Sequence, residues 1–290
     1  MVIIDIIDSY NYSTRKWRMV MRKFVISAIL AVMLVTSISL SGCVLGKVIT
    51  GSKNLVTEEF DFSDFTRVEV GSAFEVEITQ SSSYSISITA DDNLFDFVQV
   101  STDGKTLKIR LKSGYNYLST TTRAKITMPE LYGLGLSGAA KGVVIGFNSS
   151  GDFELGLSGA SSLNMSDMSS GDIRIGLSGA SRVTGDITAS GDAQFNLSGA
   201  SKLELIGSAN DVLIRASGAS SLELAEFPAD NIDVSLSGAS NATVNLDGRL
   251  DAGLSGASNL RYIGEPTIGN LDISGGSGLK GIEPTSSSNT

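Results

Sequence analysis

The sequence contains no histidine among its 290 residues. The commonest general base and the commonest metal ligand are therefore both missing, and no ordinary Ser-His-Asp triad can be built. There is one cysteine, Cys43. No disulfide can close within the chain, and no Cys-based zinc site is possible. Proline is scarce at 4 residues, and the single tryptophan, Trp17, lies in a stretch argued below to precede the folded part. Positive charge is in deficit, with 22 Lys and Arg against 31 Asp and Glu and a net charge of −9. Five of the basic residues (Arg15, Lys16, Arg18, Arg22 and Lys23) and only Asp5 and Asp8 lie in residues 1–42, so the rest of the chain carries −12. An acidic surface repels nucleic acid and anionic lipid. No nucleic-acid partner is expected, and no cofactor is implied.

What is abundant is glycine, 32 residues without a collagen period, which points to many tight turns. Hydrophobic residues reach 41%, enough for a packed core.

The N-terminus reads as an address. Met21-Arg22-Lys23 precedes an apolar run from Phe24 to Leu40, followed by Ser41-Gly42-Cys43. A cationic start, an apolar stretch and small residues make a secretory signal peptide over 21–42. Leu40-Ser41-Gly42-Cys43 resembles the bacterial lipobox, which implies that Cys43 is lipidated and becomes the mature N-terminus, a membrane anchor on the extracytoplasmic side of the envelope. The rival is an uncleaved helix at the lower edge of spanning length. Residues 1–20 are expected to be an upstream extension, with Met21 or Met19 as the natural start. Residues 43–56 read as a tether and 283–290 as a frayed polar tail.

The body of the chain repeats. Ser-Gly-Ala recurs with its glycine at Gly138, Gly159, Gly179, Gly199, Gly218, Gly238 and Gly256, and a degenerate copy follows at Ser274-Gly275-Gly276. Two, four and six residues before each glycine stand apolar columns: Leu157, Leu155 and Phe153 in one copy, Leu177, Ile175 and Ile173 in the next, with Tyr132 heading the sixth-before column. Four and six after, Leu163 and Met165 or Leu203 and Leu205 give a second alternating strand. Period-two alternation between small-residue corners predicts strand, corner, strand, turn. A single unit cannot bury its apolar face, but stacked units can. The expected fold is all-β: a right-handed parallel β-solenoid of about seven 20-residue turns over 131–282, with a β-rich cap over 57–130. A β-propeller is the rival, but its blades need about 40 residues each. Within 57–130, Asp103-Gly104 signals a hairpin, and Val70-Gly71-Ser72-Ala73 faintly echoes the later corner.

The succession of the lipobox, residues 65–80 (Phe-Thr-Arg-Val-Glu-Val-Gly-Ser-Ala-Phe-Glu-Val-Glu-Ile-Thr-Gln), Asp103-Gly104-Lys105-Thr106-Leu107, Ala124-Lys125-Ile126-Thr127-Met128-Pro129 and the Leu-Ser-Gly-Ala-Ser repeats resembles the auto-transporter adhesin head GIN domain family, formerly a domain of unknown function. The resemblance spans about residues 58–270. It implies surface display and β-solenoid architecture, with adhesion as the suggested activity. No run of lipid-facing barrel strands follows the repeat, so the lipobox is the expected anchor.

Candidate chemistry is thin. Seven before each glycine stand Asp152, Asp172, Asp192 and Asp211, then Asn231 and Arg249. Stacked carboxylates about 4.8 Å apart offer oxygen ligands for Ca²⁺; the simpler reading gives each Asp a local turn bond to its own backbone. The repeated serines flanking each glycine read as hydroxyl ladders at the corner. Carboxylate pairs for glycoside cleavage need a cleft, and the short uniform turns wall off none, so no enzyme is expected. Tyr115, Tyr117 and Tyr262 are candidates for glycan or protein recognition, or for packing. The expectation is a lipid-anchored binding or adhesion head with an unidentified protein or glycan ligand. The alternative is a structural envelope protein whose copies self-associate end to end as a homo-oligomer.

Overall fold

A computed structural model describes residues 47–283. The expected signal peptide, the lipobox-like stretch with Cys43 and nearly all of the expected polar tail lie outside the described residues. Among the described residues there are twenty-five strands and one short 3-10 turn, Asp92–Leu94. Two sheets of 11 and 12 strands hold nearly all of them.

In each repeat the strand before the corner joins the first sheet and the strand after it joins the second. Phe153–Leu157, Ile173–Leu177 and Ala193–Leu197 are successive neighbours in the first sheet. Ser162–Ser170, Arg182–Ala189 and Lys202–Ser208 are successive neighbours in the second. The pairing is parallel and joins equivalent residues: Leu155 faces Ile175, which faces Phe195, and Leu163 faces Val183, which faces Leu203. This is a β-solenoid. The blades of a propeller would pair their strands within each unit, not unit to unit.

The alternation places one side of each strand inside. Leu155, Ile175, Phe195, Ile214 and Val234 are all buried, as are Leu163, Val183, Leu203 and Leu222. Each such side chain contributes about 1.5–3 kcal/mol on burial. Phe195 and Phe227 meet edge to face across the interior, with ring centroids 5.9 Å apart. One inward position is corrected. Tyr132 is only half buried and lies over Gly151, because Leu131 takes the core place beside it.

The cap is more deeply merged with the solenoid than its sequence suggests. Arg67–Val70 and Glu75–Gln80 pair in parallel with the first repeat, at Gly133–Leu136 and Lys141–Ile145. Thr106–Leu111 and Thr122–Met128 pair in parallel with those in turn. The cap thus supplies two further layers in an order that departs from the chain: residues 106–128 are outermost and 67–80 lie between them and the repeats. The faint echo at Val70-Gly71-Ser72-Ala73 is a true corner, where Ser72 and Ala73 themselves take φ of 58° and 62°. Antiparallel strands close this end. Val98–Asp103 returns on Thr106–Leu111 through the expected hairpin, with Gly104 at φ 58°. In the second sheet Ser85–Asp91 runs antiparallel to Thr122–Met128, and Leu55–Glu59 pairs antiparallel with Ser85–Asp91 in turn.

The described part of the expected tether is fastened rather than loose. Asp91, fully buried, accepts hydrogen bonds from the backbone N–H of Lys53 at 2.6 Å and of Thr121 at 2.7 Å. The Gly51 N–H donates to the Leu118 carbonyl, and Asn93 Nδ2 donates to the Thr50 carbonyl.

Candidate functional site

The corner fixes everything that faces outward beside it. The corner glycines from Gly159 to Gly256 have φ between 72° and 78°. A Cβ on Gly159, Gly179, Gly199, Gly218 or Gly256 would lie 2.4 Å from the carbonyl oxygen of the equivalent glycine one layer before. Both the left-handed backbone and the close stacking therefore require glycine. The following alanine N–H donates to that same carbonyl, as from Ala180 to Gly159 at 2.7 Å.

The two serine columns, alike in sequence, have separate roles. From Ser161 to Ser258 the second serine of the corner is buried, and its hydroxyl donates to the carbonyl of the first: Ser181 Oγ to Ser178 at 2.7 Å and Ser201 Oγ to Ser198 at 2.8 Å. These bonds close each corner on itself and do not run from layer to layer, so the expected hydroxyl ladder is corrected for this column. The first serine faces outward. Ser178, Ser198 and Ser237 reach the carbonyl of the preceding layer only at 3.4–3.5 Å. At that length the bond is weak, so the hydroxyl is open to another partner.

The aspartate column forms a ladder, but its bonds differ from those expected. Asp152 Oδ1 accepts the N–H of Asp172, Asp172 Oδ1 that of Asp192, and Asp192 Oδ1 that of Asp211, at 3.1–3.2 Å. Each carboxylate thus caps the strand start of the next layer instead of its own turn. Asn231 continues the pattern, accepting the Arg249 N–H at 2.9 Å and donating to Asp211. Arg174 bridges Asp152 and Asp172 at 3.1 and 3.2 Å. The N–H of Asp172, and then Arg174, hold the Asp152 carboxyl below the usual aspartate value of 3.8. Among the described residues no group of three or more acidic side chains gathers in a metal-holding arrangement.

Between these two borders lies the outer face of the first sheet. Its outward positions run from the aspartate ladder through Arg174, Gln194 and Asp233, then Gly176, Asn196, Arg215 and Ser235, to the outward serines. Small side chains beside the corner leave it hollow. Two open grooves lie end to end along it: one of about 510 Å³, lined among others by Lys108, Arg110, Ser137 and Ser158, and one of about 550 Å³, lined by Arg215, Ser217, Ser237 and Ser255. A third, of about 360 Å³, follows the aspartate border past Arg174, Gln194 and Arg249. Sequence reasoning marked the serines and aspartates but missed Arg174, Arg215 and Gln194, which occupy variable outward positions with no recurring signal. The tyrosines lie elsewhere. Tyr115 and Tyr117 pack around Phe97 in the cap, with the Tyr117 hydroxyl donating to the Lys112 carbonyl. Tyr262 is partly buried against the core beneath Gly281.

The sequence pattern of the family described as "Putative auto-transporter adhesin, head GIN domain" matches residues 64–266. Among solved structures, a "putative lipid binding protein" from Parabacteroides distasonis is 20% identical, with a TM-score of 0.72 over 81% of this chain and 100% of its own. A "putative adhesin" from Parabacteroides merdae is 16% identical, with a TM-score of 0.74 over 81% and 99%. Another "putative adhesin" from Parabacteroides distasonis is 17% identical, with a TM-score of 0.71 over 81% and 100%. At these identities the likeness is one of fold. A comparison with curated proteins finds no match.

Proposed function

Because the chain belongs to the auto-transporter adhesin head GIN domain family, we propose that it is a binding head of the adhesion type, displayed outside the cell and held to a membrane by lipid on Cys43. The observation that carries the reading is the open trough on the outer face of the first sheet. Its grooves each span several successive layers, with serine hydroxyls along one border of the face and bonded carboxylates along the other. Such a surface suits an extended polar ligand, a glycan or a protein segment, that meets the same groups again at each layer. The names of the similar structures, adhesins and a lipid-binding protein, point to binding and not to turnover. We assign no catalytic role and no nucleic-acid partner. Two acyl chains on Cys43 would hold the head durably, each buried methylene contributing about 0.8 kcal/mol.

The test is a glycan and protein array probed with the full chain in mild detergent, beside Ser217→Trp, which fills the trough from an exposed corner position. Binding to a defined ligand class that Ser217→Trp abolishes is expected. An array with no binder, or binding that Ser217→Trp leaves intact, would overturn the reading.

A further inference from the structure

The arginines on the outer face of the first sheet are, with one exception, held by other side chains. Arg67 is ion-paired with Glu154, Arg174 with Asp152 and Asp172, and Arg249 with Asp251, while Arg110 donates to Gln99. Arg215 is the exception: it is exposed and has neither an ion pair nor a side-chain hydrogen bond among the described residues. Asp233, on the next layer, forms no bond with it. Asp272 is likewise exposed and unpaired among the described residues.

These two free charges stand in one row. The register joins Arg215 to Ser235, Ser235 to Gly253 and Gly253 to Asp272 across successive strands. All four residues line the groove of about 550 Å³. Layers lie about 4.8 Å apart, so three steps set the cation and the anion about 14 Å from each other. Ser235 and Gly253 keep the floor between them low. The outward corner serines Ser217, Ser237 and Ser255 run beside the row in the same groove.

We propose that this groove takes an extended peptide segment carrying one acidic and one basic side chain four residues apart. The proposal rests on the trough being the ligand-binding face and names its ligand class. In extended backbone each residue advances about 3.4 Å and alternate side chains share a side. Residues four apart therefore lie about 14 Å apart on one side, which is the span from Arg215 to Asp272. The acidic side chain meets Arg215, whose planar guanidinium offers a carboxylate two parallel donors. The basic side chain meets Asp272. The segment's backbone N–H and C=O groups meet the serine hydroxyls, each of which can donate and accept. A glycan fits this groove less well. A neutral one leaves both charges without a counterpart, and an acidic one sets like charge against Asp272 and the aspartate border. Among the described residues no aromatic side chain lines any of the three grooves, so none offers a ring face to the apolar side of a sugar.

The experiment is fluorescence anisotropy of labelled nine-residue Ser/Thr peptides that carry Glu and Lys three, four or five residues apart, in both orders. They are titrated with the full chain in mild detergent at low ionic strength, where surface charge is least screened. Spacings of three and five put the two charges on opposite sides of the extended peptide. The spacing of four is expected to bind at least about tenfold tighter than either. Arg215→Glu, shown to be folded by circular dichroism melting, should lose at least about tenfold on that peptide. It should recover binding to the same peptide with Lys in place of Glu, which the original chain binds weakly. Equal binding at all spacings, a folded Arg215→Glu that binds as before, or no recovery on the Lys peptide would each overturn the proposal. A glycan that binds and is lost with Ser217→Trp, while no peptide binds, would overturn the proposal and leave the trough as the binding face. No binder of either kind would overturn both.

Discussion

At the scale of single residues, the corner shows which repeated residue types are interchangeable and which are not. Gly199 has a φ of 75°, and its absent Cβ would sit 2.4 Å from the Gly179 carbonyl oxygen. Gly199→Ala is expected to destabilise the protein by at least about 2 kcal/mol, the left-handed penalty and the clash adding together. Ser201→Ala removes only the buried hydroxyl's bond to Ser198 and should cost about 1–2 kcal/mol. Denaturant unfolding of both variants checks the order. The glycine was legible in sequence because its reason is steric and recurs every layer. The division between the two serines was not, since residue type is the same and only burial separates Ser181 from Ser178. The same holds for the aspartates, whose turn bonds cross to the next layer, a distance of about 20 residues that no local pattern reports. Asp152 also carries a pH prediction. Its carboxyl is held down in the folded state, so its favourable contribution is complete above the ordinary value of 3.8 and is lost as pH falls through the lower folded value. Carboxyl NMR titration should find Asp152 titrating below that value, and Arg174→Ala should raise it. An Asp152 that titrates at the ordinary value in the unaltered protein would contradict the assigned bonds.

At the scale of elements, strands were legible nearly everywhere and their neighbours only in the repeat. The columns of Leu, Ile and Val name both a strand and its partner, because equivalent residues must stack in register for the core to close. In residues 57–130 alternation marked strands such as Thr106–Leu111, and Asp103-Gly104 marked their hairpin. That Arg67–Val70 inserts between Thr106–Leu111 and Gly133–Leu136 depends on contacts distant in sequence. The same distance hid Asp91, a buried carboxylate in an otherwise ordinary strand, which fastens the segment after Thr50. Asp91→Ala leaves the N–H groups of Lys53 and Thr121 without this acceptor and should cost about 2–4 kcal/mol. Hydrogen exchange should show protection lost first in residues 47–59, while Ile173–Leu177 and its neighbours keep theirs. Uniform loss across the repeats would mean that the cap and the stack unfold as one piece.

At the scale of the molecule, a stacked fold repeats one surface. Each layer contacts mainly its neighbours, so stability is close to a sum of similar interfaces, and whatever faces outward on one layer recurs on the next. That repetition makes the hollows on the first sheet's outer face grooves that each span several layers. It also explains why the candidate site was only half legible. The serines recur at every corner and the aspartates recur where they cap the next layer, whereas Arg174, Gln194 and Arg215 vary from layer to layer on the same face. The variable positions between fixed borders are the ones free to specify a ligand, and no repeat signal identifies them.

The proposed function has two parts, binding through the trough and attachment to the cell by lipid on Cys43. Capture of intact producing cells under flow, on a surface coated with the strongest ligand from the array, tests both parts at once. Cells bearing the original protein should be retained. Cells bearing Ser217→Trp, with the trough filled, or Cys43→Ala, with the anchor removed, should wash away. Retention of both variant lines at the original level would contradict it.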